Sequence, residues 1–329
     1  MLNVTEVLNF IRGFSIAGVA SRLDTLLNPF ERYTIPLDDW ISAAVDVLVN
    51  NFRPLFQAIS VPIGWILEAI QSGLLAVPPL VLLVLLGLVA WQLAGWRVGV
   101  GCLLALTVIG FVGAWEQALV SLSLVLTALI FCVLVGIPLG VACASSDRVE
   151  ALARPLLDTM QTVPTFVYLV PVVMLFGIGD VPGVIATITY ALPPLIRLTN
   201  LGIRQVPEDV VEAAIAFGST PRQVLWEAQL PLAMPTILTG INQTVLFALG
   251  MSVITAMIAV PGLGLMVMQG VGRLDVGLAA VGGLGIVALA IILDRITQAI
   301  GTSRPGSWRQ RGPVGLIWTL FDASFTKVS

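Results

Sequence analysis

Histidine is absent from the 329 residues, Lys327 is the only lysine, and charged residues make up 11% of the chain. Without imidazole, the commonest general acid–base and metal ligand are gone. The carboxylates show no paired arrangement suited to acid–base work. No G-x-x-x-x-G-K-[ST] pattern occurs, so no loop is set to cradle ATP phosphates. Gly262-Leu263-Gly264 and Gly282-Gly283 lack the strand–turn–helix context of a nucleotide site and read as bends or close helix contacts. The three cysteines, Cys102, Cys132 and Cys143, lie in apolar runs and read as small core or membrane-facing residues, not as a disulfide or metal site. No catalytic residue, metal site or chain-bound cofactor is therefore expected. The net charge of −3 is too small to point to nucleic acid. Residues 1–30 lack a basic start followed by an unbroken apolar core, so no cleavable signal peptide is expected. The N-x-[ST] triplets at Asn3 and Asn242 are chance matches.

What is abundant is apolar sequence: 57% of residues are hydrophobic and the mean hydropathy is +1.00. No soluble domain hides that much apolar surface, so the expected fold is an all-α, polytopic helical bundle of about seven transmembrane helices. Residues 1–39 are mixed, a tail without an assigned role. Over 40–76, apolar residues such as Ile41, Leu48, Phe52, Leu55, Ile59 and Ile63 recur at helical spacing, with Pro54 and Pro62 expected to break the stretch into short pieces. Two readings stay open there, a helix lying on the membrane or one packed against the spans. Spans are expected near 78–95, 98–114, 117–144, 163–178, 183–201, 235–259 and 277–300. The first two form an accessory pair over 78–114, and 117–300 is the core unit. The two spans at 163–178 and 183–201 are short and disturbed by Pro164, Pro171, Pro193 and Pro194.

Arginine sets the orientation. Arg97, Arg148, Arg154, Arg204, Arg222, Arg304, Arg309 and Arg311 alternate with arginine-poor turns at 114–117 and 179–182. The positive-inside rule then puts the 207–235 loop and the 301–329 tail in the cytoplasm and the N-terminus outside. Arg12, Arg22, Arg32 and Arg53 of the external segment count for less, because that segment is long.

The 207–235 loop carries the most specific local signal. Pro207 precedes a helix whose first turn holds Glu208 and Asp209, matched to the positive end of its dipole. Gly218 is expected to stop that helix in the left-handed conformation. Thr220, Pro221 and Gln223 spell the N-cap, first position and N3 of a second helix, a capping box. Pro231 and Pro235 are expected to end it. Glu212 reads either as a solvated helix residue or as part of a docking surface. Ala213 and Ala214 beside it leave a low helix surface suited to insertion into a partner's cleft. In the following span Thr244, Ala248, Met251, Ser252 and Thr255 share one helix face. That stripe reads equally as a solute path or as a face where helices approach closely. Trp91, Trp96 and Trp115 sit at span ends as interfacial anchors, whereas Phe166 and Tyr168 are the candidates for a transient cation contact.

Glu212-Ala213-Ala214-x-x-x-Gly218, followed by Ala228-x-Leu230-Pro231, resembles the EAA loop of ABC-importer permeases, the surface that receives the ATPase. From about Trp40 to beyond Pro313 the chain resembles the permeases of glycine betaine/proline betaine ABC importers. The stretches that carry this are LLDTMQTVPTFVYLVPVVMLFGIGDVPG, ALPPLIRLTNLGIRQVP, QLPLAMPTILTGINQT and GRLDVGLAAVGG. Ala228 stands where the general motif prefers isoleucine, and residues 1–39 match nothing in the family. The resemblance implies a type I ABC-importer permease core in the bacterial inner membrane. It implies a homodimer, two cytoplasmic ATPase subunits that bind ATP-Mg, and an external solute-binding protein. It also implies that Glu212, Ala213, Ala214 and Gly218 form the mechanical joint, with Leu230-Pro231 fixing the return into the membrane. The alternative is an ion-coupled secondary transporter or an osmotically gated channel. Either normally carries intramembrane ionisable groups, and these spans are nearly free of charge.

Overall fold

The computed structural model describes residues 36–302 and, beyond them, Gly312. The expectations for the 1–35 segment and for Arg304, Arg309 and Arg311 lie outside the described residues. All regular elements among those described are helical. They run α1 Leu37–Ala76, α2 Pro79–Ala94, α3 Trp96–Phe111, α4 Trp115–Ser145, α5 Asp147–Thr162, α6 Leu169–Phe176, α7 Asp180–Arg204 and α8 Glu208–Ala216. Then follow α9 Pro221–Gln223, a π-helical turn Val224–Gln229, α10 Leu230–Thr255, a 3-10 turn Ala256–Ile258, α11 Leu263–Arg273 and α12 Val276–Thr302. The chain separates into two units at Phe52, so only the Phe52–Ala76 part of α1 belongs with the bundle.

The bundle is built on α7, which packs along α4 on one side and α10 on the other. Small residues let these backbones close up: a Cβ on Gly140 of α4 would run into the Thr199 side chain and the Ile196 carbonyl of α7. Leu195 of α7, fully buried, fills the space between Gly136 of α4 and Gly240 of α10. With little apolar driving force between helices in lipid, such close contact and the dispersion it yields hold the bundle together. On the far side α12 lies against α10 and α11, and the α2–α3 hairpin leans on α12.

Among the described residues, five helical stretches are long and apolar enough to cross a membrane: Pro54–Ala76, Trp115–Ser145, Asp180–Arg204, Pro221–Ile258 and Val276–Gly301. The helices Pro79–Ala94 and Trp96–Phe111 are apolar but shorter. Three sequence expectations are corrected here. The span placed at 163–178 is an eight-residue helix, α6, after a turn that begins at Pro164. Pro164 disfavours helix at Val163, and Gly177 (φ 89°) and Gly179 (φ 135°) take positive φ and end α6. Pro54 and Pro62 do not break α1, which runs through both. Within it, Ile63 and Leu67 are buried against Ala128 of α4 and Val184 of α7, the packing reading of this stretch. Pro231 and Pro235 do not end the second loop helix either. The π-helical turn before Pro231 carries the chain straight into α10, one helix of 38 residues from Pro221 to Ile258. In that turn the Leu230 N–H reaches back to the Leu225 carbonyl, five residues away. The wider turn relieves the clash a proline ring makes with the preceding α-turn.

Candidate functional site: the exposed helix pair and its supports

The loop between α7 and α10 folds by its own local chemistry. Glu208 and Asp209 stand in the first turn of α8. At its end Gly218 takes φ 88°, its N–H bonds to the Ile215 carbonyl, and the Ser219 N–H reaches the Ala214 carbonyl at 3.1 Å. This is a Schellman cap, the geometry that requires glycine at this position. Thr220 then opens α9: its Oγ1 accepts from the Gln223 N–H at 3.4 Å, and Gln223 Oε1 accepts from the Thr220 N–H at 2.9 Å. Both expected caps are present.

Glu212, Ala213 and Gly218 are exposed, Ala214 is half-buried, and no atom lies within 4 Å of where a Gly218 Cβ would stand. Around them the loop presents apolar side chains that the sequence reading missed: Phe217 is 92% exposed, and Ile215 and Trp226 are 57% exposed. On the inner side Val206 and Val224 are buried and anchor the pair. Leu230 is half-buried and Pro231 exposed, at the junction of the π-helical turn with α10. The well-capped pair thus shows a carboxylate, Ala213 and a protruding phenylalanine to its surroundings.

A second support was not foreseen. Residues 147–162, left between the expected spans 117–144 and 163–178, form α5, tied to the end of α7 by arginines from far along the chain. Arg204 Nη2 donates to Asp147 at 2.7 Å and sits 3.1 Å from Glu150 Oε2. The same atom reaches the Cys143 carbonyl at 2.9 Å and so closes the end of α4. Arg197 reaches Asp158 at 2.6 Å and Gln161 at 2.8 Å. Single exposed pairs contribute little, but several sharing one helix hold its orientation. The acid spacing Asp147/Glu150/Asp158 opposite Arg197/Arg204 was the available signal, legible only once α5 is taken as helix.

The stripe on α10 is placed unlike the loop. Thr244, Ala248, Met251 and Thr255 are buried and Ser252 is half-buried. Their hydroxyls turn back to their own helix: Thr244 to Gly240 O at 2.9 Å, Ser252 to Leu249 O at 2.7 Å, and Thr255 to Met251 O at 3.1 Å. In this conformation the stripe is a helix-packing face, and Met251 packs with Leu169, Val172 and Ala186 of α6 and α7. Phe166 is exposed. Tyr168 packs on the same cluster as Tyr190, whose ring lies 5.3 Å from that of Phe247. Asn242 and Asp294 meet across α10 and α12 at 2.9 Å, and Thr297 bonds Asn242. Cys102, Cys132 and Cys143 are all buried free thiols. Among the described residues no group of His, Cys, Asp or Glu is arranged to hold a metal.

Residues 136–303 match the profile of the family described as "Binding-protein-dependent transport system inner membrane component". The chain is 56% identical over 296 residues to the glycine betaine/proline betaine transport system permease protein ProW of Escherichia coli (strain K12), covering 89% of this chain and 84% of that protein. It is 43% identical over 266 residues to the glycine betaine transport system permease protein OpuAB of Bacillus subtilis (strain 168), covering 81% of this chain and 94% of the relative. Among solved structures, one of inward facing conformations of the MetNI methionine ABC transporter superposes with a TM-score of 0.50 at 21% identity. That superposition covers 60% of this chain and 98% of the solved one, and shows a shared fold.

Proposed function

The chain belongs to the family of binding-protein-dependent transport system inner membrane components, and from that premise we propose that it is the permease of an ATP-driven importer of glycine betaine or proline betaine. The single observation that carries the coupling is the exposed, doubly capped helix pair running without a break into α10. Force applied at Glu212, Ala213, Ala214 and Gly218 passes through the π-helical turn at Leu230-Pro231 into a helix that packs along α7. Two cytoplasmic ATPase subunits, which carry the ATP-Mg, would press on the loops of two copies of this chain. The copies would rock from inward- to outward-facing, and an external binding protein would deliver the solute. The Thr244–Thr255 stripe then serves as the bearing on which α10 moves against α6 and α7. The betaine assignment is supported by the printed functions of the relatives at 56% and 43% identity. Residues 117–300 would form the permease core, 40–76 and 78–114 its scaffold, with the N-terminus outside and the tail after 301 in the cytoplasm.

Reconstitution tests this. Proteoliposomes holding the chain with its ATPase and binding protein are expected to accumulate radiolabelled glycine betaine only with ATP. The chain alone is expected to hydrolyse no ATP and to accumulate nothing on a sodium or proton gradient. Gradient-driven accumulation by the chain alone would replace this reading with the secondary-transporter one.

A further inference from the structure

A groove of about 760 Å³ runs between α3 and α12 on the face of the bundle away from α7. Its walls are apolar for nearly their whole length, with Leu104, Val108, Leu284 and Ile291 among them, and its only charged lining residues are Arg97 and Arg295.

The packing puts both arginines at one end. α3 turns directly into α4 through Val112–Ala114, so Arg97 lies at the end of α3 away from the start of α4. Early in α4, Ser121 accepts the Leu263 N–H, and Leu263 in turn presses on Gly282 and Gly285 of α12. The beginning of α12 is therefore level with the end of α3. Its other end, where Asp294 meets Asn242 and Gly301 meets Leu238, is level with the later half of α4 and the docking loop. Val112 and Val281 thus close one end of the groove, and Arg97 and Arg295 flank the other.

Neither arginine has a carboxylate partner among the described residues. Arg97 lies over the ring of Trp96, 5.7 Å from its centroid, and Trp96 is itself 61% exposed. Arg97 is the second residue of α3, so it adds a full charge to the positive end of that helix dipole. From Arg97 to Val112 the groove spans roughly 22 Å at 1.5 Å per residue. One leaflet of hydrocarbon is about 15 Å deep, half the ~30 Å bilayer core. An apolar slot longer than one leaflet's hydrocarbon is deep, with two guanidiniums at its polar end that lack a carboxylate partner among the described residues, suits a phosphodiester headgroup with an acyl chain below it.

We propose that this groove holds an anionic phospholipid of the leaflet on the docking-loop side, its phosphate between Arg97 and Arg295 and an acyl chain along α3 and α12. The site is independent of the transported solute.

The test reconstitutes the full chain in phosphatidylcholine vesicles containing phosphatidylglycerol with a diazirine on one acyl chain. Irradiation and peptide mapping are expected to place label within 98–112 and 281–293, well above the label from an equally photoreactive phosphatidylcholine. The Arg97→Gln/Arg295→Gln double variant is expected to lose roughly ten-fold or more of that label, since each arginine near an anionic headgroup adds its own attraction. Arg97→Lys/Arg295→Lys keeps the charges and is expected to retain most of it. Three results would overturn the proposal: equal labelling by the two lipids, no change in the glutamine variant, or loss in the lysine variant as deep as in the glutamine one. So would photo-cross-linking from position 104 or 284 that captures residues 303–329 or a second copy in place of lipid. The tail is a real competitor, because a Cβ on Gly312 would stand 2.6 Å from Gln92 Oε1, beside the charged end.

Discussion

The helix pair at 208–229 and the α4–α7–α10 interior use opposite means to hold their shape. In the loop the hydrogen bonds that cap the two helices are all local: Gly218 with Ile215, Ser219 with Ala214, Thr220 with Gln223. In the interior the fixing contacts join residues dozens of positions apart, such as Gly140 with Thr199 and Gly136 with Leu195. The loop leaves open space beside Gly218, where only the backbone's positive φ resists a side chain, whereas Gly140 and Gly264 have no space for a Cβ. Under the proposed coupling, a locally capped joint set on a closely packed body would pass a push on to α10.

The comparison breaks first at the packed end. Gly264→Val would drive a side chain into the Ser252 carbonyl, and neither backbone can swing aside. Overpacking of this kind is expected to cost about 3 kcal/mol or more. The variant should fail to accumulate as a monodisperse species in detergent size-exclusion chromatography, and a normal profile with normal thermal stability would show that the interior has slack.

At the loop, function should fall while the fold stands. Glu212→Lys reverses the charge of an exposed side chain on α8. Gly218→Asp meets no steric obstacle but holds a Cβ at φ 88°, a local cost on the order of 1 kcal/mol. Glycine betaine uptake is expected to drop at least several-fold with membrane abundance near normal. Full uptake by both variants would remove the loop from the coupling route.

What the sequence made legible follows the same division. The caps of α8 and α9 were readable because Gly218, Thr220 and Gln223 act on neighbours within five residues. The all-helical bundle followed from apolar density alone. The interior was less legible. The 163–178 run is apolar without a helical face, and its length disguised the breaks at Pro164 and Gly177. Residues 147–162 were left between the expected spans because their partners, Arg197 and Arg204, stand dozens of residues away. The π-helical turn before Pro231 has no signal in residue types, so the proline read as a stop. The exposure of Phe217, Ile215 and Trp226 is a property of the folded loop, not of their spacing.

The smallest expected effect sharpens the contrast from the other side. Thr244 is buried and its hydroxyl bonds only the Gly240 carbonyl of its own helix. Thr244→Val keeps the shape and loses one intrahelical bond, a cost of about 1 kcal/mol. Uptake with an unchanged KM is the expected result. A raised KM in a normally folded variant would move the stripe from bearing surface to solute path.

The central claim is that a cytoplasmic ATPase seats on the exposed pair, and cross-linking at Ala213 tests it most directly. With Cys102, Cys132 and Cys143 replaced, a single Ala213→Cys would be co-expressed with the ATPase, tagged in opened membranes with a benzophenone maleimide and irradiated, so that the photoreactive ketone inserts into a C–H bond of whatever protein is seated there. The prediction is a covalent permease–ATPase product whose yield changes when ATP is bound. Impermeant maleimide added to intact cells should leave Ala213→Cys unlabelled. Labelling of that cysteine from outside, with no ATPase product in opened membranes, would contradict the account.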